Sequence, residues 1–511
     1  MVIFQLLLML MLWLGRAADG QASGWAGPVG ASGGWAIFLG GYIAVVLGLR
    51  LWSMLLARRL DAGSSQVRLR RFDLVIGWAK WFVPLWLAMG IYGGLRWSQA
   101  VDALMPFMRH RPFRFVELPP LILGIAPSIL AWIGLWWADY PAEMASRENS
   151  LALDIEDGLS VHSPPPFATV FKNNFRMHIL FLLTPFLVIL LVHDLVAVTA
   201  SLASYRRADD LATIVMPVAA AGIFVLAPLI LVRAIPTVPL PDSPIRRRLE
   251  NLCRRSGIRC RDILIWKTDN AVGNAMVMGL FPQVRYILIS DLLLERMTDG
   301  QVEAVFAHEM GHLAHRHLWW LVAYVVVLMG LMAGPLAWLR GLAAAHLPYP
   351  WLAANSADSL GGLLDIGLVV AIFPWTFAAF SKRLERQADV FAARMMQLND
   401  SPTAGQVLPP SLTQTFVGEY GAGITASALQ QVAVINRIPL RRRDWIHGSI
   451  QSRMNYLIDL SSDPSRTGRF DKTMLRLFVL VIVALLMMGT WGTLQSLRDN
   501  PPPPAAPAHH R

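Results

Sequence analysis

His308-Glu309-Met310-Gly311-His312 sets two imidazoles four residues apart with a carboxylate beside the first. On an α-helix, residues at that spacing share a face, so both rings can turn a nitrogen toward one metal ion. Two such imidazoles and the adjacent glutamate are the donor pattern of a zinc peptidase, where the metal activates a water and the glutamate takes its proton. His308 and His312 are therefore expected to be zinc ligands and Glu309 the general base. The flanking sequence supplies the helix that this requires. Thr298 and Gln301 read as a capping box, and Val302, Val305, Phe306 and Leu313 give it an apolar face to bury.

A catalytic zinc of this kind takes a third protein ligand and leaves its fourth position to water. Ser381-Lys-Arg-Leu-Glu-Arg-Gln-Ala-Asp389 begins where an apolar run brings the chain back to the metal's side, and it holds Glu385 and Asp389 four apart. One of them can bind the metal while the other accepts a hydrogen bond from a ligand imidazole. Spacing alone does not say which. A solvated salt-bridge face shared with Arg383 and Arg386 has the same spacing.

His308-Glu-Met-Gly-His312, two apolar runs and then Ser381-x-x-x-Glu385-x-x-x-Asp389 together resemble the membrane zinc metallopeptidase family of CAAX prenyl protease 1 and the heat-shock protease HtpX. The resemblance implies a helical zincin-type (gluzincin) protease domain with a small β-sheet and one Zn2+ per chain. It makes Glu385 the third ligand and puts Asp389 behind a ligand. Pro239-Leu-Pro-Asp-Ser-Pro-x-Arg is also similar to the family, as is Asn274-Ala275 with Gly279, which implies that Asn274 and Ala275 bind substrate on an edge strand. His447-Gly-Ser-Ile-Gln-Ser-Arg453 resembles the family's later His and Arg, six apart, and implies that His447 and Arg453 stabilise the oxyanion. The resemblance covers roughly residues 236–456, with Lys382 where Arg is usual and Gly448 where Pro is common. The early apolar runs and the one at 474–497 match neither relative well, so a prenylated substrate is not carried over.

Composition says where such a site would work. With 55% hydrophobic and 15% charged residues among 511, the chain reads as a mainly α, multi-spanning membrane protein. Apolar runs long enough to cross a bilayer occur at 35–57, 74–95, 118–138, 177–200, 211–232, 318–339, 359–380 and 474–497. This divides the chain into a signal-like or anchor segment (1–31), a five-span region (32–235), a first protease part (236–317), two spans (318–380), a second protease part (381–473), a last span (474–497) and a proline-rich disordered tail (498–511). Val2 to Leu14 is compatible with a cleaved signal and with an anchor, a choice that stays open.

The excess of 45 basic over 34 acidic residues lies largely in loops, where it meets anionic lipid rather than nucleic acid. Arg58, Arg59, Arg68, Arg70 and Arg71 put their loop in the cytoplasm, and alternation of spans puts both protease parts on that side. Cys253 and Cys260 read as reduced thiols. Strand character at 262–266, 274–278 and 286–290 places a small sheet before the metal helix, which itself is expected to run on through His315 and His317 into the next span. Those two histidines read as juxtamembrane polar residues. The function expected is an integral membrane zinc metalloendopeptidase acting on membrane-associated or misfolded proteins, with protein or peptide substrates and the bilayer as partners. A zinc-binding scaffold or receptor without turnover is the alternative, and a transporter is a third reading with little support from the nearly charge-free early spans.

Overall fold

The computed structural model describes residues 30–58, 65–88, 118–156, 165–202, 208–331, 360–397 and 416–499, with Ser163, Leu342 and His346. Nearly all of the expected leading segment and of the tail falls outside them. The protein is mainly α, with one small sheet.

Helices α1 (Gly30–Ala57), α2 (Ser65–Ala88) and α3 (Leu118–Glu156) pack together around Val46, Leu49, Phe72, Ile76, Trp132 and Leu135. Polar contacts join them as well: Lys80 pairs with Asp139 at 2.5 Å, and Arg50 donates to the Trp137 carbonyl at 2.6 Å. Helix α4 (Phe167–Asn174) passes through a π-helical turn (Phe175–Leu180) into α5 (Phe181–Leu202), and α6 (Ala208–Ala234) leads to the sheet.

The sheet runs β1 (Thr237–Pro239), β2 (Asp262–Trp266), β4 (Tyr286–Ser290), β3 (Ala275–Met278) in spatial order, with β2 and β4 parallel and both outer pairs antiparallel. Alternation along the strands sorts the side chains. Ile263, Ile287 and Ile289 face α7 (Pro244–Ser256) and the metal helix, whereas Leu264, Trp266 and Leu288 pack with Leu231 and Ile235 at the end of α6. Ser243 caps α7, and Gly257 ends it at φ 68°, the left-handed conformation that glycine adopts without strain. Strand β1 was not expected; Pro239 ends it, and an edge strand tolerates a proline.

After α8 (Asp291–Arg296) comes the metal helix α9 (Asp299–Ala314), begun by the Thr298–Gln301 capping box. It does not continue into the next span. Arg316 takes φ 54°, a left-handed turn that stops α9 and starts α10 (His317–Leu331) in a new direction. Helix α11 (Leu360–Gln397) lies against α9, followed by α12 (Glu419–Ile435), α13 (Ile450–Ser461) and α14 (Pro464–Asp499). The glycine of His-Glu-Met-Gly-His permits the approach of α9 to α11. A Cβ on Gly311 would stand 2.9 Å from the Ala388 Cα, so no larger residue fits without moving a helix.

Helix occupies part or all of each of the eight runs expected to cross a membrane. Among the described residues, two stretches are long and apolar enough to do so, Ala36–Ala57 and Pro464–Leu494. Shorter apolar helices cover Leu183–Val196, Val225–Ala234 and His317–Leu328.

Candidate metal centre

One turn of α9 and one turn of α11 face each other across the Gly311 contact, and the expected ligands meet there. His308 Nε2 lies 3.2 Å from His312 Nε2 and 3.6 Å from Glu385 Oε2, while His312 Nε2 lies 3.7 Å from Glu385 Oε1. A donor atom from each of the three fits within 4.8 Å of the others, close enough to share one ion. Two imidazoles and a carboxylate suit zinc. Glu309, on the same turn, is partly exposed. Burial nevertheless raises its carboxyl to about 7, and the nearby Glu385 charge adds to that, which suits a group that must both accept and release a proton near neutrality.

The nitrogen of each ring turned away from the ion site is held. His308 Nδ1 lies 2.9 Å from Asp389 Oδ1, as the sequence led us to expect. Asp389 is clamped in turn by Arg453, whose Nη2 and Nε donate to its two oxygens at 2.6 and 2.8 Å. Burial alone would raise the Asp389 carboxyl, but the Arg453 charge and the hydrogen bonds from Arg453 and His308 outweigh it and hold it far below the usual range. Arg453 is buried and has Nη1 3.4 Å from Glu385 Oε2, so it braces two acidic groups at once.

His312 is braced by His317, which the sequence reading took only for a juxtamembrane polar residue. The turn at Arg316 swings His317 back so that its Nδ1 lies 2.8 Å from His312 Nδ1, and Gln387 Oε1 lies 3.1 Å from His317 Nε2. On one continuous helix, residues five apart point to different sides, so the break at Arg316 is what lets His317 meet His312. The contacts suit one arrangement of protons. With Gln387 Oε1 as acceptor, His317 carries hydrogen on Nε2 and presents a bare Nδ1; His312 then donates from Nδ1, and its Nε2 lone pair faces the candidate ion site. Burial, helped by the neighbouring cations, pushes His312 well below its ordinary 6.5 and keeps it neutral for that purpose. His315 caps α9 and packs on Phe391 and, stacked at 5.8 Å, on His317.

His447 reaches the site from the loop before α13, with Nε2 3.8 Å from Glu385 Oε1. Asp444 holds this loop by accepting from the backbone N–H groups of Ile446 and His447 and by lying 2.9 Å from His447 Nδ1. Gly448 adopts φ 80°, a conformation that a proline there could not take.

Strand β3 is an edge strand beside α9, with its outer side unpaired among the described residues. Asn274 spends its backbone on Ser290: its N–H donates to Ser290 Oγ, and its carbonyl accepts from the Ser290 N–H, both at 2.9 Å. By alternation, Ala275 and Val277 turn their peptide groups to the free edge, and Asn274 has only its exposed side chain to offer there. Asn436 pins the entry to this strand by bonding both the N–H and the carbonyl of Gly273, at 3.0 and 2.6 Å.

Residues 239–418 match Peptidase family M48. Among curated proteins, the chain is 27% identical over 162 residues to a Protease HtpX homolog of Bacteroides fragilis, covering 30% of this chain and 48% of that one. It is 24% identical over 168 residues to a CAAX prenyl protease 1 homolog of Arabidopsis thaliana, covering 32% of this chain and 39% of that one. The matches thus span about half or less of the length of these relatives. A crystal structure of S. mikatae Ste24p overlaps 83% of this chain and 98% of its own, at TM-score 0.43 and 14% identity, too loose a likeness to bear on the fold.

Proposed function

From the peptidase family M48 domain at residues 239–418, we propose that this chain is an integral membrane zinc metalloendopeptidase that cleaves flexible segments of membrane-associated or misfolded proteins. The observation that carries the reading is the convergence of His308, His312 and Glu385 from two distant stretches, with Glu309 beside them. Zinc held by those three side chains would polarise a peptide carbonyl and bring the pKa of water down to about 7.

The remaining work falls to the chain's own groups. Glu309 takes a proton from the attacking water and hands it to the departing amine. His447 donates toward the oxygen on which charge develops. Arg453 lends positive charge from behind, but its main task is to hold Asp389 and Glu385 in place. An extended substrate adds to β3 through the peptide groups of Ala275 and Val277, which selects segments free to unfold. Residues 236–317 and 381–473 form the protease part, joined through the packing of α9 on α11. The remaining helices form the multi-pass membrane part, with the protease part toward the cytoplasm.

The test compares purified full-length wild type, Glu309→Gln and Glu385→Ala for zinc content and for cleavage of a flexible peptide. Glu309→Gln is expected to keep zinc and to lose on the order of 10²–10⁴ in rate. Glu385→Ala is expected to lose the zinc as well. Wild-type turnover by Glu309→Gln refutes the assignment, and a zinc-loaded wild type that cleaves nothing favours a scaffold.

A further inference from the structure

Beside the stripe of α11 that carries Glu385 and Asp389 runs a second stripe, Trp375, Ala378, Ala379, Lys382, Arg383 and Arg386, which with Trp445 lines a pocket of about 440 Å³. Its two ends differ in chemistry. Trp375 is 80% exposed on the apolar half of the helix, whereas the three cations sit where the helix turns polar. About 10 Å of helix separates Trp375 from Lys382.

Those cations are crowded and uncompensated. Lys382 and Arg386 are four apart on one helix, an arrangement that repels. Among the described residues none of the three has a carboxylate within 4.0 Å. Arg383 donates to the Ala379 carbonyl, and Arg386 lies over the Tyr456 ring and touches Ser452 Oγ. Arg246, Arg247, Arg248, Arg394 and Arg453, by contrast, each have an acidic partner. Guanidinium forks and an ammonium around a common space match a phosphodiester, whose oxygens can accept from two donors of one Arg. Tryptophans at an apolar-to-polar boundary match the level of lipid headgroups.

We propose that this pocket binds the phosphate of an anionic glycerophospholipid, with the acyl chains along the apolar half of α11, and so steadies the loop that carries His447. Trp445 joins the two parts. It lines the pocket, packs at 5.9 Å from Phe377, and lies two residues from His447. Arg386 adjoins Glu385 in the chain, so the bound anion lies beside the candidate metal centre without touching it. The consequence for catalysis rests on the peptidase reading; the binding does not, and it is measured separately.

The experiment titrates the purified full-length protein in detergent with fluorescently tagged phosphatidylglycerol and with phosphatidylcholine bearing the same tag. Wild type is expected to prefer phosphatidylglycerol. Combining Lys382→Ala, Arg383→Ala and Arg386→Ala should weaken that binding on the order of a hundredfold, about fivefold per charge. Lys382→Arg with Arg383→Lys and Arg386→Lys keeps the charge and should keep most of the affinity, as should Arg247→Ala with Arg254→Ala on α7. Unchanged phosphatidylglycerol binding by the triple alanine variant, or failure of the charge-keeping variant to bind while still folded, overturns the proposal. Displacement of the tagged lipid by millimolar inorganic phosphate also overturns it, making the pocket a site for free phosphate. In lipid nanodiscs, phosphatidylglycerol should accelerate peptide cleavage by wild type but not by Trp445→Ala; equal acceleration of both refutes the link to the loop.

Discussion

The helices between Gly30 and Ala234 and the elements at 237–314 and 381–461 differ in where charged groups sit and in what lies outside the core. In the first, Leu51, Trp78 and Phe82 are 59, 62 and 58% exposed, while Ser53 is fully buried and Lys80 and Asp139 pair inside. In the second, Leu249, Ile287 and Phe306 are covered completely, and a buried cluster around Glu385 concentrates charge at its centre. Burying apolar surface from water yields roughly 25 cal/mol per Å², so leaving large apolar side chains outside is costly in water and costless in lipid. On the membrane placement proposed above, the difference teaches that each region is folded against its own solvent. Polar pairing joins helices in the first and holds the candidate metal ligands in the second.

The largest effect that can sharpen this contrast comes from breaking one ion pair in each region. Arg453→Met leaves Asp389 buried without its partner, and losing one member of such a pair costs about 3–5 kcal/mol. Lys80 and Asp139 retain 25 and 20% side-chain exposure, so Lys80→Met should cost less, about 1–2 kcal/mol. Thermal or denaturant unfolding of the purified variants measures both. Equal losses would mean that the two regions bury charge alike, and the contrast would fail.

A smaller effect tests how finely the second region aims its ligands. His317→Phe keeps the ring's bulk and removes the nitrogen that faces His312, so zinc affinity should fall about 10–100-fold in competition with a chelator. Gln387→Glu keeps an acceptor at His317 and should hold most of the affinity, whereas Gln387→Leu should lose it. Identical chelator curves for all three variants and wild type would reduce His317 to packing.

How far each part was legible follows from the range of the interactions. His308, Glu309, His312 and the helix start at Thr298 are local patterns with fixed spacing, and the structure puts them on one capped helix. Glu385 and Asp389 were legible as a pair; their sorting into ligand and support depends on the approach of α9 to α11, which spacing does not encode. The strands at 262–266 and 286–290 were visible as apolar runs, but the pairing of β1 depends on a distant partner, β2. His317 was misjudged because a non-glycine residue, Arg316, takes the left-handed conformation that ends α9. No local signal marks an arginine for that role.

The smallest expected effect concerns His447, whose side chain is 54% exposed. The hydrogen bond to Asp444 raises its pKa above the ordinary 6.5 against the opposing effect of burial, and the Glu385 charge raises it further. A raised pKa keeps the ring charged and able to donate from both nitrogens to higher pH, so activity is lost as pH rises through that value. Asp444→Asn removes the main cause, so the alkaline fall in peptide cleavage should begin at lower pH. Exposed charge pairs are worth at most about 1 kcal/mol, so the loss at a fixed mildly alkaline pH should not exceed about fivefold. Zinc affinity should stay as it is, because no ligand touches Asp444. If the fall in activity begins at the same pH in both proteins, Asp444 merely shapes the loop; a loss of zinc in Asp444→Asn would instead put His447 among the ligands, and the division between aiming and catalysis would have to be redrawn.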